Sequence, residues 1–206
     1  MRNSLYEDDC VEEKSLDLIM KGKIVVVDCG SSKVPDIERC LQELNADVQI
    51  IDWKDITPSI LDAKGVVISG NPELLTENGY DHYLPNFEFA KTCDFPVLGI
   101  CFGHQILGIV HGATVSKGQE VRGVETIHIE NSSVLFNDIK GDVVMGQDHI
   151  EEIDLPENFK LIASSESCGV EAMQHIFKPI FGVQFHPEVS GVQGLMLLKN
   201  FVKTCN

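Results

Sequence analysis

Basic residues are scarce in this chain. Lys and Arg number 16 against 32 Asp and Glu, for a formal net charge of −16, and a surface of that sign repels phosphate backbones and anionic headgroups. Nucleic acid and membrane surfaces are poor partners on that ground. No apolar run approaches the length that spans a bilayer. Residues 1–22 lack the continuous hydrophobic stretch of a secretory signal and read as an N-terminal extension, partly disordered, before a domain covering 23–206. The seven cysteines are Cys10, Cys29, Cys40, Cys93, Cys101, Cys168 and Cys205. They form no C-x-x-C pair and are odd in number, which excludes a regular disulfide framework or structural zinc site and points to a reducing cytoplasm. His104, His111, His128, His149 and His175 show no metal-ligand spacing and read as surface or satisfied interior groups, so no metal site is expected. A phosphate-cradling P-loop is also missing.

What remains is the composition of one globular domain. The 206 residues are 43% hydrophobic and 23% charged, enough to build a core unaided. Residues 23–28 (K-I-V-V-V-D) form a nearly continuous β-branched run, suited to a strand buried on both faces. Ile37, Cys40, Leu41 and Leu44 then fall at i, i+3, i+4, i+7, one apolar helical face. Short strands are expected at 48–51, 65–69 and 96–100, a helix end at 87–92 and a helix from Phe102 to Val110. Between Ala113 and Val170, β-rich pieces separated by Gly, Asn and Asp suggest an inserted antiparallel section. A buried strand at 179–185 and a helix carrying Leu195, Leu198, Phe201 and Val202 close the chain. Alternating strands and helices imply an α/β fold, an open, mostly parallel sheet with helices on both faces. Trp53 and the ten Phe residues read as packing. Ligands of such sheets sit beyond the carboxyl ends of the strands, so chemistry is expected just after Asp28, Ser69, Ile100 and Phe185.

Three features fall there. Gly99-Ile100-Cys101-Phe102-Gly103 follows a buried strand and precedes a helix, the context of a nucleophile elbow in which flanking glycines relieve crowding. A cysteine at a helix N-terminus is favoured as thiolate, and the Phe102 N–H is placed as an oxyanion donor. His186-Pro187-Glu188 follows the last strand. Its imidazole can take and return the thiol proton while Glu188 holds the other ring nitrogen. Ser69-Gly70-Asn71-Pro72 is a turn of small residues able to present a backbone N–H, although such residues mark turns everywhere.

In this order the motifs resemble the class I, triad-type glutamine amidotransferases. Gly99-Ile-Cys-Phe-Gly-His-Gln105 resembles the family's nucleophile motif and Gly182-Val-Gln-Phe-His-Pro-Glu188 its His–Glu motif. Gly169-Val-Glu-Ala-Met173, Lys117-Gly-Gln-Glu120 and Leu198-Lys-Asn-Phe201 carry a further likeness to the branch of separate amidotransferase subunits of GMP synthase. The resemblance implies a flavodoxin-like fold and glutamine hydrolysis by Cys101, His186 and Glu188 through a glutamyl thioester. It implies an oxyanion hole from the N–H groups of Phe102 and Asn71, and substrate contacts at Gly70, Gln105, Gly146 and Gln147. It further implies no cofactor in this chain. The partner would be an ATP-pyrophosphatase (synthetase) subunit, using ATP and Mg to aminate XMP to GMP. Gly146-Gln147-Asp148-His149 stands where that branch carries Ser-His-x-Asp. The residues leave alternatives open: the amidotransferase component of anthranilate or aminodeoxychorismate synthesis, a regulatory module of the same fold, or another cysteine hydrolase or redox sensor.

Overall fold

The β-branched run of the first strand dictates a two-sided burial. In the structure, a computed structural model describing residues 21–206, strand β1 (Ile24–Asp28) buries Val25 and Val27 against one layer and Ile24 and Val26 against the other. Each such side chain contributes roughly 1.5–3 kcal/mol relative to exposure. The reading of 1–22 as an extension falls almost wholly outside the described residues.

Helix α1 (Val34–Glu43) turns Val34, Ile37, Cys40 and Leu41 inward, the apolar face its spacing dictates. Strands β2 (Val48–Asp52), β3 (Gly65–Ile68) and β4 (Val97–Ile100) follow. Between β3 and β4 lie three one-turn helices, α2 (Leu75–Asn78), α3 (Leu84–Phe87) and α4 (Phe89–Thr92). The helix expected to end at 87–92 is thus two short pieces. Helix α5 (Phe102–Val110) is buried along its whole length.

A long hairpin, β5 (Val115–Ile129) and β6 (Val143–Ile153), comes next. Then come β7 (Phe159–Ser164), β8 (Ala172–His175), β9 (Ile180–Val183) and the closing helix α6 (Gly191–Thr204). The sheet order is β2-β1-β3-β4-β9-β8-β7-β5-β6. β2, β1, β3, β4 and β9 run parallel, and β8, β7, β5 and β6 continue the sheet antiparallel. Helix α5 packs on one face with Phe87 and Phe102, whereas α1 and α6 cover the other with Leu41, Leu198 and Phe201. The parallel strands end together at one edge, and the β5–β6 hairpin bends over it.

Candidate active site

Cys101 sits between β4 and α5 with φ 53° and ψ −108°. A side chain in that region stores about 1–3 kcal/mol of strain, held only where the surroundings fix it. The surroundings here are two glycines. A Cβ on Gly99 would strike the Gly103 carbonyl and lie 2.7 Å from the His104 nitrogen, and one on Gly103 would strike the Ile68 carbonyl. The helix can therefore start directly against β3 and β4. The Cys101 N–H donates to Val183 O at 2.8 Å and the Gly103 N–H to Ser69 O at 3.2 Å. Cys101 keeps 7% of its surface exposed, and that fraction faces a cavity.

His186 follows β9 and is anchored through its main chain. Its N–H donates to Gly146 O at 2.8 Å, and its carbonyl accepts from Ser190 Oγ at 2.6 Å. A 3-10 turn, Pro187–Val189, brings Glu188 back so that its Oε1 lies 2.7 Å from His186 Nδ1, with both side chains buried. An ionised carboxylate only accepts, so Nδ1 carries the hydrogen and Nε2 is the nitrogen left for Cys101. Burial alone lowers the His186 pKa, but the nearby Cys101 and the hydrogen-bonded Glu188 outweigh it and raise the value. His186 and Glu188 thus form one buried pair, and His186 lines the same cavity as Cys101.

The cavity holds about 300 Å³ and is lined by Cys101, His186, Gly70, Asn71 and Gln105, among others. Asn71 is held by both ends of its side chain: Nδ2 donates to Tyr83 Oη at 3.1 Å, and Oδ1 accepts the Glu73 N–H at 2.7 Å. The Phe102 N–H begins α5 and has no intrahelical acceptor. Gln105 donates to Glu151 O at 3.0 Å and Gln184 Oε1 at 3.1 Å. Gly146 and Gln147 stand apart from this group and border a second cavity of about 300 Å³, which meets the first at His186. The Gly146 carbonyl holds the His186 N–H, and Gln147 Nε2 donates to buried Glu171 at 2.6 Å.

The structure adds residues that the sequence motifs did not single out. Gln184 Nε2 lies 3.7 Å from Cys101 Sγ; a Gln inside an otherwise apolar buried run was the available signal, since a buried amide needs partners. Glu151, buried, accepts the Leu75 and Thr76 N–H groups at 2.8 and 2.7 Å and ties the start of α2 to β6. Across the cavity mouth, Asp148 accepts from Lys33 Nζ at 2.8 Å and Arg122 Nη1 at 2.6 Å, and Lys33 holds its carboxyl below the usual range. His104 departs from the reading of a satisfied interior histidine. It is fully buried, its ring nitrogens have no well-formed partner, and burial, with His149 nearby, pushes its pKa down to about 3.

Fold and site geometry together describe an α/β protein carrying a Cys-His-Glu constellation at the carboxyl edge of its parallel strands. The chain belongs to the class-I glutamine amidotransferase family, whose profile matches residues 25–205. It is 33% identical over 189 residues to the glutamine-hydrolyzing GMP synthase subunit of Methanococcus maripaludis, covering 88% of this chain and 96% of that one. To the Archaeoglobus fulgidus protein of the same name it is 36% identical over 172 residues, covering 82% and 91%. A crystal structure from Thermoplasma acidophilum, of a protein provisionally named as the same GMP synthase subunit, superposes with TM-score 0.83 at 30% identity, covering 90% of this chain and 94% of that one. A Thermotoga maritima glutamine amidotransferase shares the fold at TM-score 0.75 and 19% identity, over 89% and 97%. Among the described residues, no helix is long and apolar enough to cross a membrane.

Proposed function

We propose that this chain hydrolyses glutamine through a thioester on Cys101. The ammonia passes to a separate ATP-dependent synthetase subunit that aminates XMP to GMP. The observation that carries the reading is the buried His186–Glu188 pair facing the same cavity as Cys101, which sits at a strained elbow. Family membership and the names of the archaeal relatives support the choice of glutamine and of acceptor.

In this mechanism the Cys101 thiolate attacks the side-chain amide carbon of glutamine, forming a C–S bond. The developing oxyanion meets the N–H groups of Phe102 and Asn71, each such donor being worth about 3–4 kcal/mol. His186 Nε2 delivers its proton to the departing nitrogen as the C–N bond breaks and ammonia leaves. The same nitrogen then takes a proton from water, whose oxygen attacks the thioester and releases glutamate and the thiol. Glu188 stabilises the imidazolium at each stage, and Gln105 borders the substrate. The chain needs no cofactor of its own for these steps, with ATP and Mg acting on the synthetase, in the cytoplasm.

The test is an isotope trace in the complex reconstituted with its synthetase. Amide-labelled glutamine should pass its nitrogen into GMP when XMP and ATP are supplied. Label entering a chorismate-derived product instead would assign the chain to a different amidotransferase pathway.

A further inference from the structure

The cavity beside Cys101 is lined by two basic side chains, Lys33 and Arg122. They come from different parts of the fold, Lys33 from the loop between β1 and α1 and Arg122 from β5. Both reach Asp148, which lies directly opposite Arg122 in the hairpin register. Arg122 is also held by Glu120, with Nε 2.7 Å from its carboxylate. The other carboxylates of the lining are already engaged. Glu151 accepts two backbone N–H groups, and Glu73 accepts the Tyr83 hydroxyl at 3.0 Å. In a protein of net charge −16, an anionic group entering this cavity meets these two cations and, among the described residues, no other Lys or Arg.

The position of the trio along the cavity is set by the hairpin. The main-chain carbonyl of Asp148 is 3.8 Å from Cys101 Sγ, so the strand passes over the nucleophile. The pleat then turns the Asp148 carboxylate outward, where it bridges to Lys33. All three side chains also line the second cavity, and therefore stand on the partition between the two spaces. Resting on the glutaminase reading, we propose that Lys33, Arg122 and Asp148 are the specificity-determining residues that read the α-amino acid end of the substrate. Lys33 and Arg122 take its carboxylate and Asp148 its ammonium.

The chemistry favours an exchange. With the side-chain amide carbon on Sγ, two methylene groups carry the α-carbon away from the nucleophile, toward the mouth. There the zwitterion inserts between groups of opposite sign: its ammonium joins the carboxylate that the cations held, and its carboxylate joins the released cations. Net charge is unchanged, and the ion pairs broken are partly exposed and individually weak. An amide lacking either charge would leave one member of the trio without its exchange partner.

The experiment uses the full chain with its synthetase, XMP and ATP, and compares wild type with Lys33→Ala, Arg122→Ala and Asp148→Asn. The expected result is a KM for glutamine raised about tenfold or more in each, with kcat within about threefold, the pattern of lost uniform binding. A second measurement needs neither turnover nor partner. Cys101 is alkylated with 6-diazo-5-oxo-L-norleucine, which carries the amino-acid end, and with iodoacetamide, which does not. The variants should slow the first about tenfold and leave the second within about twofold. Unchanged KM and unchanged diazo-ketone labelling would overturn the assignment of the trio, while hydrolysis by the wild type would leave the glutaminase reading standing. A wild-type complex that releases no glutamate would overturn both.

Discussion

Replacing Glu188 with Gln isolates the contribution of the acid. The Nδ1–Oε1 separation is 2.7 Å between buried groups, which at an effective dielectric near 20 corresponds to about 6 kcal/mol of attraction. Desolvation of both groups takes back part of that, and removing one member of a buried pair costs about 3–5 kcal/mol. The second carboxylate oxygen has no partner among the described residues, so no other side-chain hydrogen bond of Glu188 there compensates. An amide in its place can turn its NH₂ toward Nδ1, which sets donor against donor and favours the wrong tautomer. Expressed at the step where the imidazolium gives up its proton, the loss is about 10²–10⁴-fold in kcat. Glu188 does not line the cavity, so KM for glutamine should change little. Steady-state glutamate release gives both constants. A kcat within about threefold of wild type, or a raised KM with kcat intact, would refute the role of Glu188.

Further consequences are open to measurement. Cys101 holds φ 53°, so Cys101→Gly should unfold at higher urea than Cys101→Ala, by about 1 kcal/mol after the entropic cost of glycine; equal stabilities would mean the elbow stores no strain. Glu171 is raised to about 7 from 4.5 by burial, against the opposing hydrogen bonds from Ser165 and Gln147. Its contribution to stability is fully present below about pH 4.5 and is lost as pH rises through about 7. Glu171→Gln should therefore flatten the decline between pH 5 and pH 8 by about 2–3 kcal/mol, read from urea midpoints; a parallel pH curve for the variant would contradict this. Glutaminase turnover should be weak for the chain alone and rise markedly with synthetase, ATP and XMP. A rate indifferent to the partner would argue against coupling.

Much of the fold is legible in local pattern because local pattern is what buries it. The run around Val25–Val27, the face of Ile37, Cys40 and Leu41, and the glycines flanking Cys101 each dictate their element without reference to distant residues. The β5–β6 hairpin is different. Ile127 is the only buried residue of β5 and a period of two appears only in its last residues, Val124–Ile129, so the strand's reach over the site does not show in the sequence. The Lys33–Asp148 bridge joins residues 115 apart and exists only through that reach. The pleat of β6 decides Gln147: Met145, Gln147, His149 and Glu151 turn inward while Val144 and Asp148 turn out. Gln147 thus meets Glu171, and Asp148 the cavity mouth. Phe177, read with the other Phe residues as packing, is 79% exposed on the turn between β8 and β9, where a two-sided burial rule has nothing to act on.

The thioester is the direct test of the central claim. The full chain, mixed with glutamine and its synthetase partner and quenched in acid within the first turnover, can be digested and analysed by mass spectrometry. The account requires a glutamyl adduct on the peptide containing Cys101 in the wild type, absent from Cys101→Ser. Glutamate formed at the wild-type rate with no adduct on Cys101, or with an adduct on another residue, would contradict it.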